Sequence, residues 1–120
     1  MSTAERFEDL RIWQAARTLV NTVYELTETL RDFEFKGQIR SAAISAMNNI
    51  AEGFERRTDS DFAHFLDIAK GSAGEVRSML YLGEDRRYFT CEEANRVRDE
   101  ATSLAKGIAQ LAKHLRSGSS

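Results

Sequence analysis

Four segments of this chain repeat apolar residues in alternating steps of four and three, and no proline interrupts any of them. The first stripe is Ile12, Ala16, Leu19, Val23, Leu26 and Leu30. The second is Ile39, Ala43, Ala46 and Ile50, with Phe54 one turn on. The third is Phe62, Leu66, Ala69, Ala73, Val76 and Leu80. The fourth is Ala94, Val97, Ala101, Leu104, Ile108, Leu111 and Leu115. Such steps keep one side of an α-helix turned toward a neighbour, and proline is the residue that would break them. No segment alternates with period two over a useful length, so no strand is assigned. The expected fold is all-α: an antiparallel, up-down-up-down, left-handed four-helix bundle with helices near residues 8–31, 36–54, 59–86 and 91–116.

The breaks between stripes carry helix-boundary chemistry. Asp32 to Lys36 is expected to separate the first two helices, and Gly53 to loosen the end of the second. Thr58 with Asp61 resembles an N-terminal cap for the third, and Thr90-Cys-Glu-Glu93 is a capping box for the fourth. A length of 120 residues is one domain, taken as 1–116 with a flexible Ser-Gly-Ser-Ser tail at 117–120. Gly71 and Gly74 lie inside a helical pattern and read as points of close helix approach.

Composition removes several classes of chemistry. Seventeen basic against nineteen acidic side chains give a formal charge of −2, the opposite of a strongly basic nucleic-acid binder. Cys91 is the only cysteine, so neither an internal disulfide nor a cysteine-based zinc site can form. Di-iron bundles need Glu-x-x-His pairs, and Asp61-Phe-Ala-His64 is the nearest approach to one. His64 and His114 read as surface histidines, and Cys91 as a first-turn thiol without a base partner. No phosphate-binding glycine loop is present. The residues therefore support no catalytic, metal or cofactor site. The start lacks a signal-peptide pattern and no apolar run approaches membrane-spanning length, so the expected compartment is the cytoplasm, with no membrane partner.

Several helices carry more apolar surface than one core requires. The first adds Trp13, Val20 and Tyr24 beside its stripe. The second adds Ile44, Met47 and Ala51, and the third Phe65, Ile68, Met79 and Leu82. These could widen the core face, but a bundle this small cannot bury them all, which favours contact with another copy. The second helix also has a polar strip of small uncharged residues, Gln38, Ser41, Ser45, Asn48, Asn49 and Glu52. Asn48 suits solvent or contact equally, whereas Asn49 and Glu52 are expected in contacts. The candidate assembly or helix-packing residues are Trp13, Tyr24, Ile44, Met47, Asn49, Glu52, Gly71 and Ser72.

Phe7-x-x-Leu10-x-x-Trp13-x-x-Ala16, Gln38-Ile39-Arg40-x-Ala42-Ala43 and Asn49-Ile50-Ala51-Glu52-Gly53 are followed by Phe65-Leu66-x-Ile68-Ala69-x-Gly71-Ser72 and Glu75. Together they resemble the four-helix-bundle family encoded in intervening sequences of bacterial 23S ribosomal RNA genes. Met47 departs from it, since many relatives carry proline there, which bears on a kink in the second helix. The resemblance implies a ring-shaped homopentamer and does not imply an enzyme. It also implies a distant relation to retroelement accessory proteins, in which a basic surface is associated with nucleic acid. The function expected here is a non-catalytic oligomeric bundle associating with RNA or DNA, the alternative being a protein-interaction scaffold. Candidate nucleic-acid contacts are Arg31, Lys36, Arg86 and Arg87, which an antiparallel bundle gathers at one end. Asp32, Glu34, Glu84 and Asp85 share that end, so solvated salt bridges compete with binding there.

Overall fold

The computed structural model describes residues 4–118, and these form four α-helices. They are α1 (Arg11–Leu26), α2 (Phe33–Phe54), α3 (Asp59–Asp85) and α4 (Cys91–Ser117), preceded by a 3-10 turn over Phe7–Asp9. Each helix touches the next and α1 also touches α4, which closes the bundle into a rod of 50 × 19 × 19 Å. Along α2–α3 the partners are Phe54 with Phe62, Ser45 with Ser72, and Phe35 with Gly83. Along α3–α4 they are Asp67 with Arg116 and Glu84 with Arg98. Numbers rise on one helix as they fall on the other, so both contacts are antiparallel.

Local sequence explains where most helices start. Thr58 accepts the Asp61 amide at 3.1 Å, and Thr90 and Glu93 form the reciprocal capping box. The first connection differs from expectation. α1 stops at Leu26 instead of running to residue 31, and α2 begins at Phe33, three residues earlier than expected. Thr27 is fully buried, and its hydroxyl donates to the Val23 carbonyl at 2.7 Å while accepting Arg40 Nε at 2.9 Å. A side chain from α2 thus braces the end of α1. Asp32 then caps α2 by accepting the Phe35 amide at 3.1 Å. α2 runs unbroken through Met47. At the other end of the chain, Ser117 closes α4 and Gly118 caps it, so these two expected tail residues belong to the helix end. Residues 119–120 lie outside the described residues.

The core follows the four stripes, and small residues occupy much of it. Ala42, Ala43 and Ala46 on α2 and Ala63, Ala69 and Ala73 on α3 are all buried. The glycines that demand close approach are not the expected ones. A Cβ on Gly53 would lie 2.9 Å from Phe62 Cδ1 and from Phe65 Cβ, and one on Gly83 would lie 2.3 Å from the Phe89 ring. At Gly71 and Gly74 an added Cβ would meet nothing within 4 Å. Gly53 is thus a buried contact in the last turn of α2 and does not loosen it. Gly71, exposed on α3, is not a helix-packing contact within this chain.

Candidate nucleic-acid and assembly surfaces

The α1–α2 and α3–α4 connections meet at one end of the rod. The Tyr88 hydroxyl donates to Asp32 Oδ2 at 2.6 Å, and the Tyr88 ring stands edge-on to Phe35 at 5.2 Å. Phe89, buried between Phe35 and Gly83, closes the corner. The bond from Tyr88 holds the Asp32 carboxyl below the usual aspartate range, aided by the Phe35 amide and the nearby Arg86. Asp32 in return raises the Tyr88 phenol.

Arg31, Lys36, Arg86 and Arg87 all lie on the elements that meet here, but they do not form one free basic cluster. Lys36 Nζ donates to the Glu28 carbonyl at 3.0 Å and sits 5.7 Å from the centre of the Phe33 ring. Arg86 contributes to the field around Asp32. Arg87 has a left-handed backbone, φ 64°, because it terminates α3. Its amide bonds to the Glu84 carbonyl at 3.0 Å and the Tyr88 amide to the Gly83 carbonyl at 2.8 Å, a Schellman ending with arginine where glycine is favoured. Arg31 is exposed.

The candidate assembly residues divide in two. Ser72 and Asn49 work within the chain: the Ser72 and Ser45 hydroxyls are 2.8 Å apart, and Asn49 Nδ2 donates to the Ser45 carbonyl at 2.8 Å and to its hydroxyl at 3.1 Å. This network ties α2 to α3. Trp13 packs at 5.1 Å from Phe7, and Tyr24 carries the Arg40 guanidinium 4.0 Å from its ring centre. Glu52 is exposed and pairs with Arg56 at 3.6 Å. Ile44 and Met47 are half-buried, and Gly71 is exposed. Elsewhere on α2 and α3, Phe33 is 67% exposed, Leu82 48% and Ile68 40%.

Two further surfaces were not legible in the sequence. A groove of about 640 Å³ separates α1 from α4, lined by Ile12, Ala15 and Leu104 with Arg11, Arg96 and Glu100 at its polar side. Partial burial raises the Glu100 carboxyl above its ordinary range, offset by the Thr22 hydroxyl that it accepts at 3.3 Å. Across α3–α4, Arg98 is buried against Tyr81, pairs with Glu84 at 3.0 Å and bonds to the Asn95 amide oxygen. Further along the same contact Arg116 grips Asp67 with two bonds, at 2.6 and 3.2 Å, and holds that carboxyl below its usual range. No signal in the stripes marked Arg98 as buried, since arginine at that position reads as solvent-facing.

His64, His114 and Cys91 are exposed. Among the described residues no group of three or more His, Cys, Asp or Glu side chains could hold a metal ion, and no helix is long and apolar enough to cross a membrane. The family model described as 23S rRNA-intervening sequence protein matches residues 8–110. The chain belongs to that family. Its fold is also similar to a crystal structure from Bacteroides thetaiotaomicron, a protein of unknown function from the S23 ribosomal protein family. That match has a TM-score of 0.74 at 25% identity, covering 85% of this chain and 94% of the other. No curated protein matches. In this family member, the four helices that carry the match also build the surfaces described above.

Proposed function

We propose that this 23S rRNA-intervening sequence protein is a non-catalytic bundle that works as a homo-oligomer and associates with RNA or DNA in the cytoplasm. One observation carries the assembly: α2 has no charged residue from position 41 to 51, although part of that stretch faces outward. Ser41 and Asn48 are exposed and Ile44, Met47 and Ala51 half-buried, with Phe33 exposed in the first turn of the same helix. A helix face that remained in solvent would carry Lys and Glu there. Ile68 and Leu82 are exposed apolar side chains of α3, and contact with a second copy removes such side chains from water. A closed ring needs two different patches on each copy. The α1–α4 groove supplies a second patch on the opposite edge of the bundle, and the ring size implied by the family is five.

The scaffold reading, self-association without nucleic acid, is favoured by one feature: Lys36 and Arg86 at the bundle end are already engaged within the chain. Native mass spectrometry of the wild type and of an Ile44→Asp, Ile68→Asp variant tests assembly. The expected result is a homo-oligomer that falls to monomer in the variant while helical circular dichroism persists. A monomeric wild type at micromolar concentration would sink the proposal. Gel shifts with RNA and DNA then separate the two readings.

A further inference from the structure

The groove between α3 and α4 concentrates positive charge on an otherwise slightly acidic molecule. It joins two hollows that share Asp67 and Lys70: Lys113 and Arg116 of α4 line one, Arg77 of α3 lines the other, and Asp67 is the one carboxylate among the lining residues of both. Arg116 is held by Asp67. Lys70, Arg77 and Lys113 have no ion-pair partner within 4.0 Å among the described residues. Four cations thus face one acid in a chain whose formal charge is −2.

The floor of the groove has a second unexplained property. It is made of Gly71 and Gly74 on α3 and Ala105, Ala109 and Ala112 on α4. Glycine inside a helix is unfavourable and is usually offset by close packing. Here an added Cβ would meet nothing within 4 Å, so packing within the chain does not account for either glycine. What they do is leave an open valley beside Lys70 and Arg77, continuous through Lys70 with the hollow that Lys113 and Arg116 line. One turn beyond Arg77, Tyr81 is 57% exposed, with the Arg98 guanidinium 4.1 Å from its ring centre.

We infer that this groove binds single-stranded nucleic acid, with the sugar-phosphate backbone lying along the small-residue floor and Tyr81 stacking a base at one end. The inference rests on the nucleic-acid part of the function proposed above and moves its site from the bundle end to the α3–α4 face. A charged track beside an aromatic platform is the general chemistry of single-strand binding. The separation of Lys70 and Arg77 along α3, about 10 Å from the helical rise, lets the cations meet successive phosphates of one strand. A duplex would present one backbone to the groove and no base to Tyr81. The lining residues carry no side-chain amide to read base edges, so sequence selectivity is weak.

Fluorescence anisotropy with labelled oligouridylate, oligothymidylate and a DNA duplex of equal length tests this on the full chain. The wild type binds both single strands more tightly than the duplex. Its affinity falls with salt at a logarithmic slope of about −2 to −3, as three or four neutralised phosphates give. A Lys70→Glu, Arg77→Glu, Lys113→Glu variant loses about tenfold or more. Gly74→Leu, which fills the floor without altering charge, also weakens binding, whereas Arg86→Glu, Arg87→Glu leaves it unchanged. Circular dichroism and oligomer size accompany each variant, and the charge variants decide the matter if Gly74→Leu fails to fold. Undiminished binding by the folded groove variants overturns this site and leaves the nucleic-acid reading to another surface. No binding by the wild type to any probe overturns both. A preference for duplex overturns the single-strand assignment.

Discussion

Arg98 and Glu84 form an ion pair at 3.0 Å across the α3–α4 contact, with the guanidinium stacked on Tyr81 and only 8% of Arg98 exposed. A buried cation is tolerable only when paired, and its aliphatic stem fills space as an apolar side chain would. Arg98→Ala is expected to destabilise the bundle by about 2–4 kcal/mol, from lost packing and an unpaired Glu84. Arg98→Met keeps the packing and should cost less. Urea denaturation of both variants checks the order, and equal losses would show that packing contributes little.

The glycines divide into opposite predictions. Gly71→Ala and Gly74→Ala meet open space, so each should stabilise the chain by about 0.5–1 kcal/mol through helix propensity. Gly83→Ala drives a methyl to 2.3 Å from the Phe89 ring and should destabilise by about 1–3 kcal/mol. Thermal melts of the three proteins would reveal the split, and a stabilised Gly83→Ala would overturn the packing described for that corner.

Arg87 occupies the left-handed position that ends α3. Replacing it by glycine removes the Cβ strain of that backbone and should raise stability by about 0.5–1 kcal/mol. A Tm that fails to rise in Arg87→Gly would mean that the arginine side chain makes a compensating contact.

Titration of the carboxylates gives two opposite signs. Asp67, beside Arg116, and Asp32, bonded by Tyr88, have folded values below the ordinary one. Their contribution is present above the usual aspartate value of about 3.9 and is lost as pH falls below it. Glu100 is raised by burial, so the folded state takes up its proton more readily than the unfolded chain. Its effect therefore destabilises at neutral pH and disappears as pH falls below the ordinary glutamate value of about 4.3. Glu100→Gln should melt above the wild type at pH 7, with the gap closing in acid. A constant gap across that range would show that the titration of Glu100 is not its cause.

Four helices were legible from the stripes alone because a step of three or four is a property of neighbouring residues in one strand of chain. The caps at Thr58 and Thr90 were legible for the same reason, each being complete within four residues. The end of α1 was not, since Thr27 is braced by Arg40 from another helix. Phe35, assigned to a break, became core only because Tyr88 and Phe89 close over it from the far side of the fold. The sequence likewise named Asn49 and Ser72 as contact residues, but only the α2–α3 packing decided that their partner is Ser45 in the same chain. The grouping of Lys70 and Arg77 with Lys113 and Arg116 was equally invisible, because charges distant in sequence become neighbours only when two helices pack side by side. Periodicity and capping are local and were determined by the order of residues. Which glycines are crowded, which arginine is buried and where positive charge accumulates depend on partners from elsewhere in the chain, and those the tertiary structure alone decided.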